Sequence, residues 1–452
     1  MIVRNRETLL SHGLKAGRRV LLDLIEHALA SVDPYTAAKR LVQRTNHVLA
    51  VGSLRYDLRE LGSLYFLGAG KASFPIARAL EEVLNDRLAG GVVIVKRGQG
   101  GRLQRIQKLE AGHPLPDAEG LRGAQAVLDV ADEAGPGDLV FTAITGGSSA
   151  LLPFPADGIS LDDKRDVTAL LLNSGAVIQE INAVRKHLSQ IKGGRLALRI
   201  HPAELINLTV SDVIGDGTML DCITGNTVPD TSTFHDAIRT LKMYHLWERV
   251  PDSVRRHLAA ARPDEETPKD FGDIQVHTFL LATNADACLA AKDRAEALGF
   301  NAMILSTMIE GESREAGILH AGIAREIQAH NRPIKPPCVI ISGGETTVTI
   351  TGDPGTGGPN QECILGFATK IGGSSRIVGV SIDTDGTDGP TDVAGGIADG
   401  LSLDRAAACN VDVYESLRRH DAYPVLQALG DAVYTGPTGT NVMNLRLILI
   451  TE

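Results

Sequence analysis

Apolar residues recur at helical spacing, with charges between them, over ETLLSHGLKAGRRVLLDLIEHALASV (7–32), which predicts an amphipathic helix. DPYTAAKRLVQRTNHVL (33–49) predicts a second helix, with Asp33 ahead of Pro34 as a start signal. The pattern then changes to short runs that are apolar throughout and end in glycines or small polar residues: SLYFLGAGKAS, GGVVIVKRG, DLVFTAITGGSSALL and ELINLTVSDVIGDG. Helical patterns, FPIARALEEVLND and AEGLRGAQAVLDVADEA, alternate with them. Strands apolar on both faces and separated by helices make a parallel sheet covered on both sides. Residues 1–245 are therefore expected to form a Rossmann-like, doubly wound parallel-sheet α/β domain.

Residues 246–275 break this pattern. They are polar, carry Pro251, Pro263 and Pro268, and read as a helix followed by a surface connection. Alternation restarts beyond them. VHTFLLATN, FNAMILST, RIVGVSIDTDG and LRLILITE read as strands, and PCVIISGGETTVTITG as a hairpin-like strand pair. ADACLAAKDRAEALG, ESREAGILHAGIAREIQAH and NQECILGFATKI read as helices. Residues 276–452 are expected to form a smaller α/β domain with a mixed sheet.

Bulk properties narrow the function. A chain of 452 residues exceeds one ordinary core, and 43% hydrophobic with 22% charged residues is a globular composition. A net charge of −10 argues against a general nucleic-acid binder. Cys222, Cys288, Cys338, Cys363 and Cys409 are scattered, with no pair at CxxC spacing, so neither a zinc site nor a disulfide framework is expected. The N-terminal stretch lacks the apolar core of a signal peptide, and no run approaches the roughly 18 apolar residues of a membrane span. A cytoplasmic protein is expected.

The chemistry-bearing residues sit at the glycine-rich strand ends, where ligands bind in open α/β sheets. In LGAGKAS, Gly68 and Gly70 permit a tight turn, Lys71 opens a helix, and Ser73 follows. A helix N-terminus with a lysine suits phosphate or carboxylate. Walker A spacing fails at Tyr65 and Ala72, and the dinucleotide fingerprint fails at Ser73. In TGGSSALL, Gly146, Gly147, Ser148 and Ser149 suit an anion-binding nest, while Ala150 disfavours a serine-hydrolase elbow. In INAVRKHLSQIKGGRLA, Arg185, Ser189 and Lys192 share a helix face, and Arg195 adds charge in an acidic chain. Each stretch alone also reads as an ordinary turn, cap or solvated basic helix. In SGGETTVTITGDPGTGGPNQE, Gly343 and Gly344 end a strand before Glu345, and Asn360 and Glu362 begin a helix as cap and dipole partner.

SIDTDGTDGPTD places Asp383, Asp385, Asp388 and Asp392 directly after a strand. An EF-hand loop fails at Asp388 and Ala394. Magnesium needs only one or two carboxylates beside its waters and substrate phosphates. Crowded carboxylates repel without a cation, so Asp383, Asp385 and Asp388 read as candidate metal ligands. Asx-turns are the structural alternative, and Asp392 is the one expected to be structural.

Taken in order, GAGKAS, AGHPLPD, TGGSSALL, INAVRKHLSQIKGGRLA, SDVIGD, TVPD, SGGETTVT, NQE, DTDGTDGPTDVAGG and PTGTNV resemble the glycerate 2-kinase family with a MOFRL C-terminal domain. The resemblance runs from about Leu67 to Val442. It implies ATP- and Mg²⁺-dependent phosphorylation of D-glycerate at its 2-hydroxyl, giving 2-phosphoglycerate. It also implies an active site in the cleft between two domains and makes Lys71 the catalytic lysine. Some members carry the name hydroxypyruvate reductase, but no dinucleotide fingerprint supports hydride transfer here. Three positions depart from the family: Pro359 replaces an arginine, Asn226 a proline and Asn444 an acid. Proline lacks the charge and the forked donors of arginine, and Arg185 or Arg195 are candidates to take over its work.

The expected parts follow. Lys71 with Gly68, Gly70 and Ser73 holds phosphate, and Gly146 to Ser149 hold an anion. Arg185, Lys192 and Arg195 hold the substrate carboxylate, with Arg185 also catalytic. Gly343, Gly344, Glu345, Asn360 and Glu362 add substrate or phosphate contacts. Asp385, with Asp383 and Asp388, binds magnesium or accepts the hydroxyl proton. The expected partners are a nucleotide and a glycerate-like acid, with no nucleic acid and no membrane, and a homodimer is left open. The alternatives are a hydroxypyruvate- or tartronate-type NAD(P)H oxidoreductase, a kinase of a four-carbon hydroxy acid, and a non-catalytic anion-binding protein.

Overall fold

The aliphatic runs become strands buried on both faces, as seen in a computed structural model describing residues 1–215, 225–350 and 352–452. Asp216 at the end of SDVIGD, Cys222 and Thr351 lie outside the described residues. Contacts divide the chain into two units, Pro34–Leu281, and Met1–Asp33 with Ala282–Glu452.

In the first unit, six strands lie in the order Gln107–Ala111, Leu88–Lys96, Leu64–Ala69, Leu139–Ile144, Glu204–Val210, Val276–Ala282. The first five are joined by parallel pairing. Numbered along the chain, the order is 3-2-1-4-5-6. This is the doubly wound arrangement, and its direction reverses between the first and fourth strands. Leu67, Ile94, Val140 and Leu205 of the sheet pack with Val127, Leu128 and Leu196 of the helices. A second apolar cluster joins the helices Leu161–Leu172, Ile178–His187, Phe234–Met243 and Asp252–Ala260 through Val167, Leu171, Val184, Phe234, Leu241 and Val254.

In the second unit, the strand order is Asn301–Ile309, Cys338–Gly344, Asn444–Ile450, Ile377–Asp383, Gly395–Asp399, Ala432–Val433. The first pair is parallel and the others antiparallel, so the sheet is mixed. Helices Ser313–His330 and Pro359–Ile371 pack on one face. The other face is covered by helices Asn284–Ala297 and Lys15–Ser31, whose Leu21, Leu24 and Ile25 meet Val378, Leu447 and Leu449.

That last contact explains a difference from the sequence reading, which joins residues 1–33 to the first domain. The helix at 15–31 has an apolar face that fits the C-terminal sheet, and it carries Arg18. Arg18 is fully buried, with Nε 2.6 Å from Asp399 Oδ2 and Nη1 2.7 Å from Asp431 Oδ1. The strand Val276–Ala282, expected to open the second domain, instead extends the first sheet. Residues 246–275 are part of the first unit, and Thr267 is buried there against Asp230 at 2.9 Å.

Three local differences have simple causes. The helix expected over 7–32 is split into Arg6–Leu9 and Lys15–Ser31 around Gly13, which has φ +66°. The helix expected over 33–49 stops at Leu41, because Val42–Thr45 and Val48–Val51 pair as a hairpin with Asn46 at φ +53° in its turn. The hairpin expected over 337–352 keeps only its first strand, Cys338–Gly344. Beyond it, among the described residues, Thr347 makes an isolated bridge to Glu312.

Candidate functional site

The reversal point of the parallel sheet sets the ends of Leu64–Ala69 and Leu139–Ile144 side by side, and two glycine turns meet there. Gly70 has φ +127°, and a Cβ on it would lie 2.3 Å from Thr145 Oγ1, so only glycine fits. Lys71 N donates to Gly146 O at 2.8 Å, and Ala72 N to Thr145 Oγ1 at 3.1 Å. Gly70 N and Ser73 N are also used within the fold, on Ile94 O and Gly70 O. This turn therefore presents the Lys71 side chain and not a cradle of amides. That corrects the reading of Gly70 and Ser73 as phosphate contacts. Gly70 permits the close approach, and Ser73, fully buried, donates its Oγ to Ala143 O at 2.7 Å. Gly68 lies inside the strand, where a Cβ would meet the Phe66 ring at 2.7 Å.

The second turn is different. Gly147 has φ +86°, and a Cβ on it would lie 3.1 Å from His113 Nε2 and 3.6 Å from Lys71 Cγ. Lys71 and His113 thus flank the same backbone position. His113 was not among the candidate residues, and its only sequence signal is its place in AGHPLPD. The amides of Gly146 and Gly147 make no hydrogen bond among the described residues. Both glycines line a cavity of ≈ 290 Å³, together with Ser148, Ser149, Arg185 and Asn226.

The basic residues after Ile181 separate into two groups. Lys186 is buried on Asp230 at 2.8 Å, and His187 lies 2.7 Å from Glu266. Arg195 donates to Glu265 O at 2.7 Å and to Lys186 O at 3.3 Å. Arg195 is thus a backbone clamp, which corrects its reading as a carboxylate ligand. Arg185 faces the cavity, makes no ion pair among the described residues, and reaches Asn182 Oδ1 at 3.5 Å. Burial lowers its pKa. Lys192 is fully buried, and burial, followed by the charges of Lys164 and Arg185, lowers it well below the ordinary lysine value. Lys164, on the helix Leu161–Leu172, is 5% exposed. Burial beside Arg185 pushes it down to about 7.

In the second unit, Asp388 is the N-terminal cap of the helix Pro359–Ile371. Its Oδ1 accepts from Asn360 N at 2.9 Å and Nδ2 at 3.1 Å, and its Oδ2 from Gln361 N at 2.9 Å and Nε2 at 3.0 Å. The reading of Asp388 as a metal ligand is corrected accordingly, since both oxygens are taken. Asn360 is not the cap but a fully buried link to Asp388 and to Ser381 Oγ at 2.6 Å. Pro359 occupies the first helical position, where no N–H is required. Glu362 is buried against His420 Nδ1 at 2.8 Å, and burial raises its pKa. Gly343 and Gly344 are held by close packing, because Cβ atoms there would meet Asn284 Oδ1 and Ile309 N. Glu345 is exposed. Asp383 Oδ1 accepts from Asp385 N at 2.9 Å, and Asp385 Oδ1 from Thr387 N and Oγ1, each at 2.8 Å. Asp392 Oδ1 accepts from Tyr423 OH at 2.6 Å, a structural role. No group of three His, Cys, Asp or Glu side chains that could hold a metal occurs among the described residues.

Two families match the chain: "Domain of unknown function (DUF4147)" over residues 20–259, and the MOFRL family over residues 338–444. The chain is 43% identical to a glycerate 2-kinase of Pyrococcus horikoshii, over 96% of this chain and 98% of the relative. It is 38% identical to a putative hydroxypyruvate reductase of Agrobacterium vitis, over 96% of this chain and 95% of the relative. The crystal structure of a glycerate kinase from Thermotoga maritima superposes with a TM-score of 0.83 at 38% identity, covering 96% of this chain and 99% of that one.

Proposed function

We propose, from the premise that this chain belongs to the glycerate 2-kinase family, that it transfers the γ-phosphoryl group of ATP to the 2-hydroxyl of D-glycerate, giving 2-phosphoglycerate and ADP. The observation that carries this reading is the cavity at the sheet's reversal point. There the Gly146 and Gly147 amides and the Arg185 guanidinium are committed to no acid among the described residues. Phosphoryl transfer asks a protein mainly to position anions and stabilise charge, and amides, lysine and arginine do that.

Lys71 supplies a positive charge beside the second turn and is assigned to the transferring phosphoryl group. Arg185 is assigned to the substrate carboxylate, and Lys192, buried and held toward its neutral form, is not given that charge role. A nucleotide fits this chain because Gly147 can take no side chain without meeting His113, so the backbone stays open to an anion. The chemistry that a magnesium ion would supply is neutralisation of charge on the nucleotide phosphates. Asp383 and Asp385 fit such an ion, because one or two carboxylates suffice. Asp385 is also the group assigned to accept the hydroxyl proton.

The test is a coupled assay of ADP release with D-glycerate and Mg²⁺, with the product scored for the position of its phosphate. Turnover to the 2-phosphate is expected. No turnover with any three- or four-carbon hydroxy acid would refute the kinase reading, and NADH or NADPH consumption with hydroxypyruvate would replace it. Lys71→Met is expected to lower kcat by about 100-fold or more while the protein stays folded, as removal of a charge-stabilising donor does.

A further inference from the structure

Two buried polar side chains in the first unit, one lining the cavity and one beside the cavity's Arg185, have no partner among the described residues. Lys164 is 5% exposed, and its Nζ has no hydrogen-bond partner among the described residues. Asn226 is 1% exposed, and neither its Nδ2 nor its Oδ1 has a partner. Only the Asn226 backbone is engaged, its carbonyl accepting from Leu196 N at 3.1 Å. Buried polar groups are almost always paired, so each orphan points to a missing partner. The two lie on separate segments, one on the helix Leu161–Leu172 and the other in the loop ahead of the helix Phe234–Met243, so they are independent observations.

We infer that Lys164 and Asn226 complete the cavity as a subsite for a small hydroxy acid, Lys164 reinforcing Arg185 in holding the oxyanion and Asn226 hydrogen-bonding the ligand's oxygens. This rests on the kinase reading above and extends it to residues that neither the motifs nor the mechanism use. Arg185 and Asn226 line the cavity, and Lys164 stands close enough to Arg185 to feel its charge. The nearby carboxylates of the Lys164 helix are turned elsewhere: Asp163 accepts from Ser253 Oγ at 2.8 Å, and Asp162 pairs with Arg165 at 2.7 Å. Two cations held together without an acid are costly to fold, and an arriving oxyanion removes that cost. An asparagine with a donor and an acceptor both unused matches a hydroxyl or carboxylate oxygen.

The experiment compares wild type with Lys164→Met and Asn226→Ala by thermal melting, with and without D-glycerate or sulfate, and by kinase kinetics. Removing an orphan relieves a buried penalty, so both ligand-free variants are expected to melt at or above the wild-type temperature. KM for D-glycerate is expected to rise about ten-fold or more in each, with kcat changed by less than about three-fold. In wild type, protection by D-glycerate assigns the subsite to the carboxylate, and protection by sulfate alone assigns it to a phosphoryl group. Either is expected to shrink in Lys164→Met. Protection by neither anion, an unchanged KM, or a lower ligand-free melting temperature in both variants overturns the inference. The anion-protection arm does not need turnover, so failure of the kinase reading and failure of the subsite give different results.

Discussion

Four donors converge on Asp388, whereas Asp385, three residues earlier, accepts from Thr387 in a local turn, and the two carboxylates should therefore fail differently. Burial raises the Asp388 carboxyl against the opposing pull of those donors, so its stability contribution depends on the complete set. Asp388→Asn is expected to cost about 2–4 kcal/mol in urea unfolding, because an amide cannot accept from all of them. Asp385→Asn is expected to cost less than about 1 kcal/mol while cutting turnover by about 100-fold or more. Equal losses of stability and turnover in Asp385→Asn would return that residue to a structural role. The run DTDGTDGPTD displays four similar acids, and nothing in its spacing tells a cap from a ligand. What separates them is burial and the helix 28 residues upstream that Asp388 caps, a long-range fact. The same applies to the basic stretch after Ile181. The sequence reads Arg185, Lys192 and Arg195 alike, and the clamping of Arg195 and the orphaned state of Lys164 depend on neighbours that no local pattern names.

At the scale of elements, the strand-and-helix alternation was readable because strands apolar on both faces have few other fates. The short hairpin at Val42–Val51 was not, because its polar residues leave no alternation to read. One element carries a testable consequence. On the helix Ser313–His330, His320 Nδ1 donates to Ala316 O at 2.6 Å, and Nε2 accepts from Ser342 Oγ at 2.8 Å. Burial, with the Arg446 charge adding to it, pushes its pKa down to about 4. The folded state keeps the ring neutral, whereas the unfolded chain binds a proton below about 6.5. Stability should therefore fall as pH drops from about 6.5 to about 4, by roughly 3 kcal/mol in all. His187, also lowered chiefly by burial, acts in the same direction. Denaturant unfolding at stepwise pH checks this, and His320→Asn is expected to flatten the slope. A mutant as acid-sensitive as the wild type would refute the assignment.

At the scale of the whole molecule, two α/β units were legible in the sequence, but which residues build each was not. Residues 1–33 belong with 282–452 because a distant sheet needs a cover, and an amphipathic helix does not state its partner. Arg18 fixes that partnership. Burial opposes its charge, and Asp431 and Asp399 outweigh the penalty and hold the guanidinium charged. Arg18→Met leaves the buried Asp399 without its cation, while Asp431 keeps Arg405 and His12, and it is expected to destabilise the C-terminal unit by about 3–5 kcal/mol, measured as a lower urea midpoint. An unchanged midpoint would show that the ion pairs are dispensable. The same architecture bears on biosynthesis. The strand Asn444–Ile450 lies between Cys338–Gly344 and Ile377–Asp383, so the middle of the sheet is made after both of its neighbours, whereas the covering helix Lys15–Ser31 precedes every strand of that sheet. A nascent chain carries that apolar helix uncovered until the strands it packs on have followed, a window in which holding chaperones have a ready substrate.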